Sequence, residues 1–174
     1  MGCLRLICLA CLLFGLSSFA QPALASTHVY QERPQQLTYR SQQSLRDRQD
    51  RSWQAVLFKR FEAETLAGVY LRIVGFPGLV AVDQAKPLKI DTGTALSWQA
   101  ASSRDRTLQQ LPPNVGQYDV QSAIAELNGN IPLQLTVPLQ GGGVAELVAA
   151  PFVVREWRSL AQTSLESLQP ERYR

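Results

Sequence analysis

From Leu37 onward the chain alternates apolar and polar positions with a period of two. Leu37, Tyr39 and Ser41 stand against Thr38, Arg40 and Gln42, with Leu45 following, and this predicts a strand over 37–46. The run 53–61, Trp-Gln-Ala-Val-Leu-Phe-Lys-Arg-Phe, is rich in aromatic and branched residues and predicts an antiparallel partner. A third strand is expected over 69–74, stopped by Gly75-Phe76-Pro77-Gly78, where two glycines and a proline break ladder pairing. Short strands fit at 87–90 and 95–100, on either side of Asp91-Thr92-Gly93-Thr94.

At Asp119 the period changes. Val120, Ala123, Ile124 and Leu127 recur at helical spacing, Asp119 is a suitable N-terminal cap, and Asn128-Gly129-Asn130 supplies a left-handed stop, so a helix is expected over 119–128. Ile131, Leu133, Leu135, Val137 and Leu139 then alternate with polar residues and two prolines. That pattern predicts a strand, and Pro132 and Pro138, which cannot donate to a ladder, place it at an edge. A turn at Gly141-Gly142-Gly143 leads into a strand over 144–149. Pro151 then opens a second helix at the position where its missing donor costs nothing, with Phe152, Val153, Trp157 and Leu160 on one side. The expected fold class is α+β: an antiparallel meander with two helices packed against it.

The segment before this domain has a different character. Arg5 is followed by an apolar run from Leu6 to Phe14, extended through Leu16 to Phe19, and then by Ala23-Leu24-Ala25 with small residues at its first and third places. This is the pattern of a cleavable signal peptide over 1–25, cut between Ala25 and Ser26. The run is shorter than the roughly 20 residues that span a bilayer. The expected division is therefore a leader over 1–25, an extended lead-in over 26–36, one domain over 37–162 and a frayed tail over 163–174. No transmembrane segment is expected after the leader.

Composition acquires meaning once the leader is set apart. Cys3, Cys8 and Cys11 all lie inside it, so the mature domain would carry no disulfide, thiolate metal site or cysteine nucleophile. Loss of Arg5 takes the 17 basic residues down by one against 14 acidic ones, a net charge of about +2. Such a balance lacks the strongly basic face of a nucleic-acid binder. Arg46, Arg48 and Arg51 are interleaved with Asp47 and Asp50 and read as a solvated turn. His28 is the single histidine and lies in the lead-in, which removes histidine triads and multi-histidine metal sites. No cofactor motif is present.

One motif offers chemistry. Asp91, Thr92 and Gly93, with Ile90 before and Thr94 after, match the short active-site pattern of aspartic peptidases, in which two such carboxylates share a proton across a water. With one copy, the chain would act only as a dimer, and Lys89 stands where that pattern has an apolar residue. The same residues are hairpin-turn chemistry, which is the favoured reading. Trp53, Trp98 and Trp157 could line an apolar ligand site, which would make the protein a carrier, but their aliphatic neighbours place them in a core.

Four stretches carry a resemblance: Ser44-Leu45-Arg46-Asp47 with 52–59; 71–78, Leu-Arg-Ile-Val-Gly-Phe-Pro-Gly; 114–119, Asn-Val-Gly-Gln-Tyr-Asp; and 151–157, Pro-Phe-Val-Val-Arg-Glu-Trp. Together they resemble a family of uncharacterised exported proteins of cyanobacteria. The resemblance implies a periplasmic or thylakoid-lumenal location and transfers no catalytic residue. By analogy with small lumenal domains, it points to a non-catalytic accessory or assembly factor that binds a protein partner at a membrane face, with a photosynthetic complex as the candidate partner. The expected contact surfaces are the loops Gly75, Phe76, Pro77, Gly78 and Asn114, Val115, Gly116, Gln117, Tyr118, since function tends to sit on loops.

Overall fold

The structure, a computed structural model, describes residues 28–33, 36–103 and 110–168. The leader, its cleavage site at Ala23, Ala25 and Ser26, and the last residues of the tail lie outside the described residues.

The fold is α+β, as its pattern predicts, but the strands divide between two antiparallel sheets. The first has the order β1-β2-β3-β4-β7, from β1 (His28–Arg33), β2 (Gln36–Arg46), β3 (Ser52–Glu62), β4 (Thr65–Val74) and β7 (Val115–Asp119). The second has the order β6-β5-β8-β9, from β5 (Leu88–Asp91), β6 (Ser97–Ala100), β8 (Leu133–Pro138) and β9 (Val144–Ala149). The sheets touch at two seams, where Ser102 bridges Tyr118 and Asp47 bridges Leu147.

Alternation decides the faces of the first sheet. Trp53, Ala55, Leu57 and Phe61 of β3 share the inner side with Val69, Leu71 and Ile73 of β4, and all are buried in the common core. The inner positions of the second sheet, Leu88, Ile90, Leu133, Leu135, Val137, Ala145, Leu147 and Ala149, close that core from the other side. Helix α1 (Gln121–Glu126) contributes Ala123 and Ile124 and is shorter than the 119–128 expected: Val120, not Asp119, is its N-cap, and Asp119 ends β7, with its Oδ1 accepting the Gln121 N–H at 3.0 Å. Helix α2 (Pro151–Gln162) opens on proline and buries Val153, Val154, Trp157 and Leu160. Burying each such aliphatic side chain stabilises by about 1.5–3 kcal/mol. Phe152, expected on the packed side, is 59% exposed, and Val154 takes its place.

Other departures have local causes. Strand β8 is interior, paired with β5 on one side and β9 on the other. Pro132 lies before the strand and Pro138 is its last residue, so neither breaks the shared ladder. The lead-in is not free of structure, since β1 pairs with β2 from His28 opposite Arg40 to Arg33 opposite Gln36. Beyond Gln162 the chain forms a further turn, α3 (Leu165–Leu168), and Leu165 is buried.

The charged segment 46–52 is only partly solvated. Asp47 is 7% exposed and accepts four hydrogen bonds: from the Gln49 and Arg51 amides at 2.9 Å, Arg51 Nε at 2.7 Å and Trp53 Nε1 at 2.9 Å. Arg46 and Asp50, by contrast, form an exposed ion pair.

Candidate functional site

The segment following β4 builds a projecting tip. Gly75 is buried, and a Cβ there would stand 2.3 Å from Val80 Cγ2 and 2.8 Å from Trp53 Cζ3, so only glycine allows this approach. Its amide donates to the Asn114 carbonyl at 2.9 Å, and Asn114 Nδ2 donates back to the Gly75 carbonyl at 2.7 Å. Phe76, Pro77, Gly78 and Leu79 then form a tight turn closed by the Leu79 N–H on the Phe76 carbonyl at 3.2 Å. Proline at the second position and a glycine of φ 79° at the third are what a type II turn requires.

The turn pushes two large apolar side chains into solvent, Phe76 at 63% and Leu79 at 66% exposure. Val80 and Val82 return to the core, and Val82 donates to the Pro113 carbonyl at 2.7 Å, setting exposed Pro112 and Pro113 beside the tip. Neither 73–82 nor 110–118 contains a charged residue. Replacing Gly75 with alanine is expected to cost about 1–3 kcal/mol by overpacking against Trp53 and Val80, read as a lower urea midpoint at unchanged m-value.

Of the residues expected to make contact surface, Phe76, Pro77 and Gly78 are exposed. The expectation for Asn114, Val115, Gly116, Gln117 and Tyr118 is corrected: these are interior residues, and Val115 to Tyr118 belong to strand β7 rather than to a loop. Gly116 faces inward because the Tyr118 ring lies across it, with a would-be Cβ 2.6 Å from the phenol oxygen. The Tyr118 hydroxyl is fully buried, and that burial pushes its ionisation upward. Gln117 points to the other side, where its Oε1 accepts Arg72 Nε at 3.0 Å and Nη2 at 2.7 Å. Asn114 braces the tip from beneath. Leu79, Pro112 and Pro113 were not singled out, although the apolar residues flanking Pro77-Gly78 were the available signal.

Asp91, Thr92 and Gly93 sit at the junction of β5 with its hairpin loop to β6. Asp91 Oδ1 accepts the Gly93 amide at 2.7 Å, and its Oδ2 lies 3.3 Å from Lys89 Nζ. The Gly93 amide first, and then Lys89, hold this carboxyl below the usual carboxylate range. Thr92 Oγ1 donates to the Leu96 carbonyl at 3.0 Å, and Gly93 has φ 73°. Each polar group of the motif thus serves the turn, and its carboxylate is held ionised by its neighbours.

The tryptophans divide. Trp53 and Trp157 are each 1% exposed within the core, whereas Trp98 is half-buried and donates to Glu126 Oε2 at 2.7 Å. No group of three or more histidine, cysteine, aspartate or glutamate residues is placed to hold a metal among the described residues. No helix there is long and apolar enough to cross a membrane.

Neither a curated protein nor a solved structure matches the chain. A family model does match, over residues 25–160, which takes in both sheets, the tip and most of helix α2. The chain therefore belongs to the DUF3122 family, described as proteins of unknown function.

Proposed function

We propose that the protein is an exported, non-catalytic accessory or assembly factor that docks on a protein partner at the periplasmic or thylakoid-lumenal membrane face through the 76–79 tip. The observation that carries this reading is the pair Phe76 and Leu79, both mostly exposed, astride a turn whose base is clamped by Asn114. A solvated apolar pair on a rigid, charge-free loop is an anchor of the kind that fills a partner's pocket, and its fixed backbone lowers the ordering cost of binding. The leader pattern of residues 1–25 supports export. The resemblance to exported cyanobacterial proteins supports the compartment, and a photosynthetic complex is the partner it favours.

Gentle extraction of membranes with a tagged full chain tests the proposal. The protein is expected to be recovered with a partner, and the double substitution Phe76→Ser, Leu79→Ser to weaken that complex about a hundredfold, from loss of about 3 kcal/mol of apolar burial. Its thermal midpoint should stay within a few degrees of the unsubstituted chain. Recovery of the unsubstituted protein solely as a free monomer, or a complex indifferent to both changes, sinks the reading.

A further inference from the structure

The pair Asn128-Gly129 takes no part in the docking tip. Its expected role as a left-handed stop also goes unused, since helix α1 ends at Glu126 with Leu127 extended as its cap. What remains is an exposed asparagine followed by a glycine of φ 118°, where an added Cβ would meet nothing within 4 Å. An asparagine before glycine has a chemistry of its own. The main-chain nitrogen that follows can attack the side-chain amide carbon, and glycine, with no Cβ, obstructs that approach least.

The fold sets the chain's three asparagines apart. Asn114 is buried, its Nδ2 donates to the Gly75 carbonyl at 2.7 Å, and the nitrogen that would attack it, that of Val115, is engaged with the Pro112 carbonyl at 3.0 Å. Asn130 is exposed, but its Oδ1 accepts Arg158 Nη1 at 2.8 Å and the branched Ile131 follows it. Among the described residues, nothing hydrogen-bonds the Asn128 side chain or the Gly129 amide. The asparagine with the least hindered successor is thus also the one left free to turn onto it.

We infer that Asn128 is a site of spontaneous covalent modification, converted through a cyclic imide to aspartate and isoaspartate. The Gly129 nitrogen gives up its proton and bonds to Asn128 Cγ, the Cγ–Nδ2 bond breaks, and ammonia leaves with that proton. Water is the only co-reactant. It opens the five-membered ring at Cγ to give aspartate, or at the main-chain carbonyl to give isoaspartate, in which the chain runs through the former side chain. Either product adds one negative charge, and isoaspartate lengthens the main chain by a methylene. Leu127 and Leu133, 3% and 1% exposed, are anchored in the core, so the connection between them absorbs the extra length at the expense of the Arg158–Asn130 bond that ties it to α2. None of these residues belongs to the 76–79 tip, so the two proposals stand or fall separately.

Peptide mass spectrometry of the full chain, aged at pH 8.5 and 37 °C, provides the test. Asn128 is expected to gain about one dalton faster than Asn114 and Asn130, as two separable products, aspartate and isoaspartate. Ageing in concentrated urea gives the rate without the fold, and the native rate is expected to lie within about tenfold of it because no opening of the structure is required. Asn128→Gln, at an exposed position, should abolish the gain there. No gain at Asn128, a faster gain at either other asparagine, aspartate as the sole product, or a native rate further below the urea rate than that overturns the inference.

Discussion

Replacing Asp47 with alanine is expected to destabilise the protein by about 3–5 kcal/mol. The side chain accepts from two amides, the Arg51 guanidinium and the Trp53 indole, and it is shut away from solvent. Truncation would leave the indole N–H of a residue 1% exposed with no acceptor, and would loosen the seam where Asp47 bridges Leu147. Burial pushes this carboxyl upward, but the Trp53 indole, the Arg51 amide and guanidinium and the Gln49 amide outweigh it and hold it below its ordinary 3.8. A carboxyl lowered in the folded state stabilises above its unfolded value and loses that contribution as pH falls through its folded value. Urea titrations at pH 7 and pH 3 should therefore show the unsubstituted chain losing stability toward acid more steeply than Asp47→Asn, which keeps the shape without the titrating group. Equal acid sensitivity in the two would remove Asp47 as the source.

The strands legible in the sequence were those whose pattern is set by one buried face. Alternation at Leu37, Tyr39 and Ser41 and the run from Trp53 to Phe61 mark β2 and β3 to within a residue of their ends, because inner side chains pack a core while the polar ones turn outward. Pro151 likewise fixes the start of α2. Strand β7 was hidden because Asn114 and Gly116 look like turn residues when read locally. Gly116 is needed instead by the ring of Tyr118, and Asn114 by a residue 39 positions away. The interior position of β8 depends on which strands flank it, and no local pattern carries that information.

Candidate sites follow the same division. Phe76-Pro77-Gly78 was visible because turn chemistry is local. Asp47 was not, since alternating Arg and Asp reads as a solvated face unless the indole six residues on is known to fold back over the carboxylate. The cluster of polar side chains on the outer face of the first sheet was invisible for a further reason. Arg60, Tyr70 and Gln117 are each an outward position of a different strand, and only the register Phe58 opposite Tyr70 and Arg72 opposite Gln117 brings them together.

Lys59 shows how a charge can belong to a core stripe. It shares the inner parity of β3 with Leu57 and Phe61, is 6% exposed, and donates to the carbonyls of Ala161 at 2.7 Å and Thr163 at 2.8 Å. These carbonyls lie at the end of α2, where the last turn of a helix lacks intrahelical donors and carries the negative pole of its dipole. Lys59→Met keeps the apolar stem and removes the cap, so a loss of about 2 kcal/mol is expected, with faster amide exchange concentrated around 159–163. Burial also lowers the Lys59 ammonium from its ordinary 10.5, which means the folded state disfavours the charged form. The unfolded chain therefore binds more protons in the alkaline window between the folded value and 10.5, and stability gains from this group as pH rises through it. The unsubstituted protein should accordingly widen its advantage over Lys59→Met as the pH is raised toward 10. A gap that narrows across that range would mean the ammonium is stabilised, not penalised, where it sits.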